Sequence, residues 1–424
     1  MTWFLLKGLL RDRHRSLFPI LIVAGGVIII ILSYCWMMGV IDDFATTNAK
    51  LDTGHVKIMT RAYADISSQV PNDFALISVT GFLNTLKKDY PRLDWAPRIK
   101  FGGLLDFPDE YGETRAQGPV VGLGMDLLSS DSQEKERLGL EKAVVEGRLP
   151  QSRGEIIISE KFATDLGVDI GETATLISAT ANGGMAIQNF IVAGTIKFGV
   201  AALDRNAMIA DIADIQYALD MENSAGEILG YLPNMMYNEK TASQIVSQFN
   251  ARFSGSADDQ APVMMTLREQ NNIGEMLDIV NMEIFIIIGG LIFVMSIVLW
   301  NAGLMSGLRR YGEVGVRLAV GESKGHVYRT MIYESFLIGI IGSVLGTVIG
   351  VGVSYYFQTH GMDMSGIIKG ASMLMSNKMR AIVTPASYYI GLIPGLIATL
   401  FGTMIAGIGI FKRQTSQLFK ELET

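Results

Sequence analysis

Hydrophobicity is gathered toward the two ends of this chain and thins out between them, and that distribution limits the possible folds more than any motif does. Residues 17–40 are an unbroken run of apolar or small side chains, long enough at ~1.5 Å per residue to cross the hydrocarbon core of a bilayer. Three further runs, 284–305, 336–357 and 388–411, have the same character. Residues 41–283 have an ordinary soluble composition and are numerous enough to bury a core of their own. The expectation is an α+β membrane protein with four transmembrane helices, one N-terminal and three C-terminal, carrying a large mixed α/β extracytoplasmic domain of two subdomains.

Flanking charge gives the direction of each span. Lys7, Arg11, Arg13 and Arg15 precede the first run and Asp42 and Asp43 follow it, which puts residues 1–16 in the cytoplasm. Glu275, Asp278 and Glu283 precede the second run, and Arg309, Arg310, Arg317 and Lys324 follow it, returning the chain inward. The third run leads out and the fourth back, closed by Lys412, Arg413 and Lys420, so both termini, including the tail 412–424, are expected in the cytoplasm. The outer loop 358–387 carries Lys369, Lys378 and Arg380 against this rule, and the neighbouring segments decide it. A cleaved signal peptide is the competing reading of the first run, which exceeds a usual signal h-region and lacks a small-x-small cleavage site.

Several function classes are disfavoured by the same residues. The net charge of -7 comes with no basic stripe for nucleic acid. The single cysteine, Cys35, allows no intramolecular disulfide and no cysteine-based metal cluster. The spans carry almost no ionisable side chains, whereas ion carriers and proton relays need them at mid-membrane. They carry small residues at helix-contact spacing instead: Gly342, Gly346 and Gly350 on the third span, and Gly391 with Gly395 or Gly402 with Ala406 on the fourth.

Between the first two spans the pattern is mixed. Residues 76–90 have helical spacing, 98–107 and 120–123 read as strands, and Pro108-Asp109-Glu110-Tyr111-Gly112 reads as the turn between them. Residues 129–141, rich in charge and serine, look like a boundary. A second unit follows, with a strand over 155–159, a helix over 160–166, strands over 173–177 and 190–192, and a hairpin tip at Asn182-Gly183-Gly184. Residues 240–253 are again helical and 263–267 again extended. One subdomain is therefore expected from 41–128 plus 231–283, with 141–230 inserted as the second.

The loop 306–335 is the most informative segment. In Arg309-Arg310-Tyr311-Gly312-Glu313-Val314-Gly315-Val316-Arg317-Leu318-Ala319-Val320-Gly321, Glu313 and Arg317 stand at i and i+4 as a favourable helical pair. Val314 with Leu318 and Val316 with Val320 supply apolar contacts, Gly321 can end the helix, and Ser323 can cap the next. The spacing predicts a short cytoplasmic helix between two spans, against the blander reading of a solvated basic loop.

This segment resembles the FtsX-like permease domain shared by MacB-type efflux proteins, the lipoprotein-releasing permeases and FtsX. The likeness runs through Arg310, Glu313, Gly315, Arg317, Ala319 and Gly321 to Glu334, Gly339, Gly342 and Gly346. At the N-terminus, residues 5–15 look like the family's amphipathic lead-in. In the external domain, Glu146-Gly147-Arg148, Glu155-Ile156-Ile157-Ile158-Ser159-Glu160, Ala163, Leu166-Gly167, Gly171 and Val192-Ala193-Gly194 look like its periplasmic core domain. The resemblance implies a bacterial inner-membrane protein in which an ATPase dimer grips the short helix and ATP-driven closure is passed through the spans to the periplasmic domain, a mode called mechanotransmission. It makes Arg310, Glu313, Gly315, Arg317, Ala319 and Gly321 the ATPase-coupling residues.

The chain departs from MacB in lacking any G-x-x-x-x-G-K-[ST] to cradle phosphates, and Gly122-Leu123-Gly124 has no following lysine. ATP and Mg are therefore expected on a separate ATPase, with no cofactor, metal or catalytic residue in this chain. The cluster Met362, Met364, Met373, Met375 and Met379 suits adaptable packing better than Cu(I), since no histidine or cysteine accompanies it. His55, opening a strand, resembles an arrangement in the lipoprotein-releasing permeases, although a lone histidine there is more often structural. The expected partners are the ATPase dimer, a second permease subunit (identical or paralogous), membrane lipid, and a periplasmic adaptor, chaperone or hydrolase. The expected activity is extraction or export of a lipoprotein, peptide or hydrophobic substrate at the periplasmic face. An FtsX-like regulator passing ATPase strokes to a cell-wall hydrolase is the alternative.

Overall fold

The structure, a computed structural model, describes residues 13–198, 201–253, 258–308, 311–363 and 378–412. These fall into two compact units: one is helical and formed by the chain up to Asp42, by Ile279–Asp363 and by the part from Lys378 onward, and the other is formed by Asp43–Asp278.

Helix α1 spans Arg13–Asn48 and ends in a π-helical turn, Ala49–Thr53. It does not stop at residue 40 as its apolar run suggests, because nothing breaks it at Asp42 and Asp43; the helical path ends only at Gly54, which has φ +62°. From there the chain enters a ten-stranded sheet: β1 Val56–Thr60, helix α2 Val79–Asp89, β2 Asp94–Pro108 and β3 Thr114–Met125. Short helix α3 Glu134–Arg137, β4 Val144–Gly147, β5 Glu155–Ser159, helix α4 Glu160–Leu166, β6 Thr173–Ala179 and β7 Met185–Ile196 follow. Then come β8 Ala207–Asp211, β9 Glu227–Tyr231, helix α5 Glu239–Phe253 and β10 Pro262–Thr266.

The pairing β2–β3–β8–β5–β7–β6 returns to β2, so six strands close on themselves as a small barrel. Closure removes exposed edges and gives the strands one shared interior, filled by Ile99, Leu105, Phe107, Ile158, Leu176 and Phe190 among others. The long strand β2 also carries β9 on its first half, and β10–β1–β9 form an open extension covered by α2 and α5, with Leu86, Val246 and Phe249 in the core between. The expected division at 128 and 141 is thereby corrected. Strands β2 and β3, assigned to the first subdomain, complete the barrel of the second, while β9, assigned to the second, belongs to the open extension. Residues 129–141 are no linker, because α3 lies there with Glu134 and Arg137 buried.

In the helical unit, α6 spans Ile273–Leu308, α7 Tyr311–Ala319, α8 Lys324–His360 and α9 Thr399–Lys412. Among the described residues, four stretches are long and apolar enough to cross a membrane: Leu17–Thr53, Ile273–Met305, Lys324–His360 and Pro385–Ile408. The first three helices outrun their expected apolar runs, since polar turns continue the hydrogen-bond ladder past the hydrophobic part. The last span is the irregular one. Pro394 lacks an N–H, the ladder widens into a π-helical stretch over Ile393–Ala398, and the Thr399 hydroxyl donates to the carbonyls of Gly395 (2.8 Å) and Leu396 (3.0 Å). Met364, Met373 and Met375, the lead-in before Arg13 and the tail after Lys412 lie outside the described residues.

Candidate functional site

Helix α7 is the short helix expected between the second and third spans. Val314 and the partly buried Leu318 pack with Val327 and Met331 of α8. Gly321 takes φ +102°, a backbone that a side chain would strain, and the Gly321 and Glu322 amides donate to the carbonyls of Leu318 and Arg317. The Ser323 hydroxyl then accepts from the His326 amide and starts α8. The chain reverses within a few residues, so α7 is held tightly from one side.

Two details differ from the sequence reading. Arg317 places Nε 3.3 Å from Glu322, which also lies 3.5 Å from His326, so the cation's ion partner is Glu322 and not Glu313. Val316 and Val320 do not pack together in the interior. They are 44% and 84% exposed, because turning Val314 and Leu318 onto α8 rotates them outward. The outward face of α7 thus presents Glu313, Val316, Ala319 and Val320. Gly315 is buried on the inner side, and Arg310 lies outside the described residues.

The glycines of the third span occupy the contact with α1. A Cβ at Gly342 would stand 2.7 Å from Val23 Cβ, one at Gly346 2.7 Å from the Ala24 carbonyl, and one at Gly350 3.2 Å from Ile31 Cβ. On the fourth span Gly395 meets Ser343, and Gly402 meets the Trp300 carbonyl of α6. Backbones therefore approach as small residues permit.

A second constellation lies in the strand unit, where the turn 49–53 meets the sheet. Arg98, fully buried on β2, donates from Nε to Glu134 (2.7 Å), from Nη1 to the Leu51 carbonyl (2.9 Å), and from Nη2 to the Lys50 carbonyl (2.8 Å) and the Tyr231 hydroxyl (3.0 Å). The guanidinium satisfies carbonyls at a helix C-terminal end, where the backbone dipole favours a cation. Arg137 pairs with Glu134 and Asp94 and lies 3.9 Å over the Tyr231 ring. Lys100 pairs with Asp52 and, at 3.0 Å, with Glu227; Lys57 lies 3.1 Å from Glu227 and 3.6 Å from Asp52. Four cations thus face four carboxylates.

This junction also takes in the chain just before α6. Asn271 Nδ2 donates to Asp52 (2.7 Å), and Gln270 Nε2 reaches the Thr53 carbonyl (3.3 Å). Asp52 therefore ties together the end of α1, strand β2 and the residues that lead into α6. Burial by itself lowers the Arg98 and Lys100 pKa values, but Tyr231 and Glu134 beside Arg98, and Glu227 and Asp52 beside Lys100, raise both above their ordinary values. Lys57 is lowered, since burial outweighs its attraction to Glu227. His55 adds an uncharged member: its Nδ1 accepts from the Leu232 amide (2.8 Å), and burial, aided by Arg137, lowers its pKa to about 4.

Sequence reasoning passed over this junction. A signal was present in Arg98-Ile99-Lys100, where two cations at i and i+2 share one face of a strand otherwise rich in buried side chains. Among the described residues, no group of three or more His, Cys, Asp or Glu side chains is placed to hold a metal.

Comparison with known proteins places the helical unit. Residues 285–415 match the family model described as FtsX-like permease C-terminal. The lipoprotein-releasing system transmembrane protein LolC of Xylella fastidiosa strain Temecula1 is 23% identical over 210 residues, 48% of either chain. The probable export ATP-binding/permease protein MacB of Pseudomonas entomophila is 23% identical over 227 residues, covering 49% of this chain and 32% of that one. The matched stretch spans about half the length of the first of these relatives and less of the second. The crystal structure of the periplasmic region of MacB from Actinobacillus actinomycetemcomitans aligns over 52% of this chain and 92% of its own, with 15% identity and a TM-score of 0.35. Residues 285–415 are thus similar to the C-terminal domain of FtsX-like permeases, and the chain is similar to permeases of the LolC and MacB kind.

Proposed function

We propose that this chain is the inner-membrane permease subunit of an ABC transporter, driven by a separate ATPase dimer that docks on α7. The observation that carries this reading is the two-sided character of α7: Val314 and Leu318 fix it to α8, while Glu313, Val316 and Val320 face outward and leave two large apolar side chains exposed beside a charge. A solvated loop has no need of that arrangement. ATP and Mg reside on the partner, and a second permease subunit, identical or paralogous, supplies the other docking helix of a two-fold assembly. The strand unit lies on the periplasmic side with both termini in the cytoplasm, as the flanking charges indicate.

ATPase closure at α7 moves the spans, and the junction passes the movement on, because Arg98 and Asp52 bind the end of α1 to the sheet without a flexible linker. The work done is the release or export of a lipoprotein, peptide or hydrophobic substrate, the kinds of task that the names of the relatives carry.

The test is affinity isolation of the full chain from its native membranes in mild detergent, followed by photolabelling with an azido-ATP and mass spectrometry. A protein bearing a phosphate-binding loop should be recovered with the wild type and lost with Glu313→Arg/Arg317→Glu combined with Gly321→Leu. Equal recovery with the variant, or no ATP-binding partner for the wild type, contradicts the reading. Sidedness is checked separately in a Cys35→Ser background, where a cysteine replacing Gly183 should be labelled only from outside and one replacing Ser416 only from inside.

A further inference from the structure

The sheet has a notch in strand β2. On the edge opposite β3, Arg98 pairs with Glu227 of β9 and Leu104 with Ile177 of β6, but Lys100 and Gly102, the residues between that turn their main-chain groups to this edge, form no ladder pair. The register explains the gap. Ala225, next in line opposite Lys100, exchanges both of its main-chain bonds with Leu76, and Ala179, next in line opposite Gly102, is the last residue of β6 and is not paired with β2. Only side chains stand in: Asn72 Nδ2 donates to the Lys100 carbonyl (2.9 Å) and Ser178 Oγ to the Gly102 carbonyl (2.7 Å). The amides of Lys100 and Gly102 point the same way as these carbonyls and meet no strand partner.

A cleft of about 660 Å³ opens over the notch. Phe101 and Gly102 form its floor, and the loop at Val70 to Asp73 and the hairpin tip at Thr180 to Gly183 form its walls. Gln69, Asn72, Ser178, Thr180 and Asn182 give the lining neutral hydrogen-bonding groups; among the described residues, Asp73 is its one charged residue and no cation lines it. Val70, a β-branched residue, is held at φ 53° on the rim.

We propose that this cleft binds an extended peptide, neutral or basic, which fills the gap in the sheet as a short added strand. Its main-chain carbonyl accepts from the Gly102 amide, and its main-chain N–H replaces Ser178 Oγ at the Gly102 carbonyl. Alternate side chains of the peptide point toward the Phe101 floor and toward the amide-lined mouth. The lining favours such a ligand over an acidic one or a phosphate because its sole charge is the Asp73 carboxylate. The site is a property of the strand unit and goes beyond the proposed ATPase coupling, so its measurement needs neither nucleotide nor a partner.

The full chain in lipid nanodiscs is panned against a phage-displayed library of seven-residue peptides, and the enriched peptides are synthesised. Gly102→Trp is the blocking variant, since a Cβ at Gly102 meets nothing within 4 Å and its side chain would fill the cleft without disturbing the core. Enriched peptides should lose at least about tenfold in affinity on Gly102→Trp, a difference of ~1.4 kcal/mol. N-methylation of the peptide should abolish binding at alternate residues only. Amide exchange at Lys100 and Gly102 in the wild type should slow when peptide is added, a readout that holds even if the variant folds poorly. Absence of enrichment, equal binding to Gly102→Trp with unchanged exchange at Gly102, or preferential capture of oligosaccharide instead of peptide would overturn the proposal.

Discussion

In the helical unit, Gly342, Gly346 and Gly350 bring α8 against Val23, Ala24, Val27 and Ile31 of α1, and the contact is almost wholly apolar. In the strand unit, the turn that ends α1 is gripped by Arg98 at its carbonyls and by Lys100 at its Asp52, within a balanced set of four cations and four carboxylates. The two contacts tolerate different things. Small-residue packing permits sliding and rotation within van der Waals limits, whereas a buried charge network has one register in which every group is satisfied. A buried ion pair adds little net stability compared with well-packed apolar residues, so specificity of register is the better explanation for its presence. For the proposed passage of movement from the ATPase to the strand unit, slack among the helices and stiffness at the junction are complementary properties.

Substitutions should separate these two kinds of contact. Arg98→Met leaves Glu134 and the Lys50 and Leu51 carbonyls without their donor, and should destabilise the strand unit by about 3–5 kcal/mol in chemical denaturation of the full chain in detergent. A loss below about 1 kcal/mol would mean that the network is not held as described. Gly346→Leu overfills the contact between α1 and α8, and should cost about 1–3 kcal/mol while leaving the unfolding of the strand unit unchanged.

His55 makes the junction sensitive to acid. Its folded pKa, about 4, lies below its ordinary 6.5, so its contribution is complete above pH 6.5 and is lost as the pH falls toward 4, where the unfolded chain binds the proton first. Between those values the wild type should lose about 3 kcal/mol more than His55→Gln. Identical pH profiles would remove His55 from this role. The smallest effect belongs to α7: Arg317→Gln breaks a partly exposed pair with Glu322 and should change stability by only about 0.3–0.5 kcal/mol, measured by thermal unfolding.

The helical unit was largely legible because its signals are local. Hydropathy marks the spans, and Gly321 and Ser323 mark the reversal after α7, as Gly183 marks the hairpin between β6 and β7. The barrel was not legible, since its closure depends on β6 returning to pair with the second half of β2, a contact no local pattern announces. The junction escaped for the same reason. Glu134 and Arg137 look like solvated linker residues until Arg98, 36 residues earlier in the chain, is placed beside Glu134. Asp52 belongs to no local pattern, and its role becomes visible only when Lys100 and Asn271 converge on it.

The most direct test of transmission follows amide hydrogen exchange in residues 49–58 and 225–231 while the co-isolated ATPase turns over ATP in reconstituted membranes. The expected result is a nucleotide-dependent change at these junction segments in the wild type, absent when Glu313→Arg/Arg317→Glu/Gly321→Leu cuts the connection at α7. Unchanged exchange at the junction during active hydrolysis by a bound, wild-type complex would contradict the claim that the motor's movement reaches the strand unit through it.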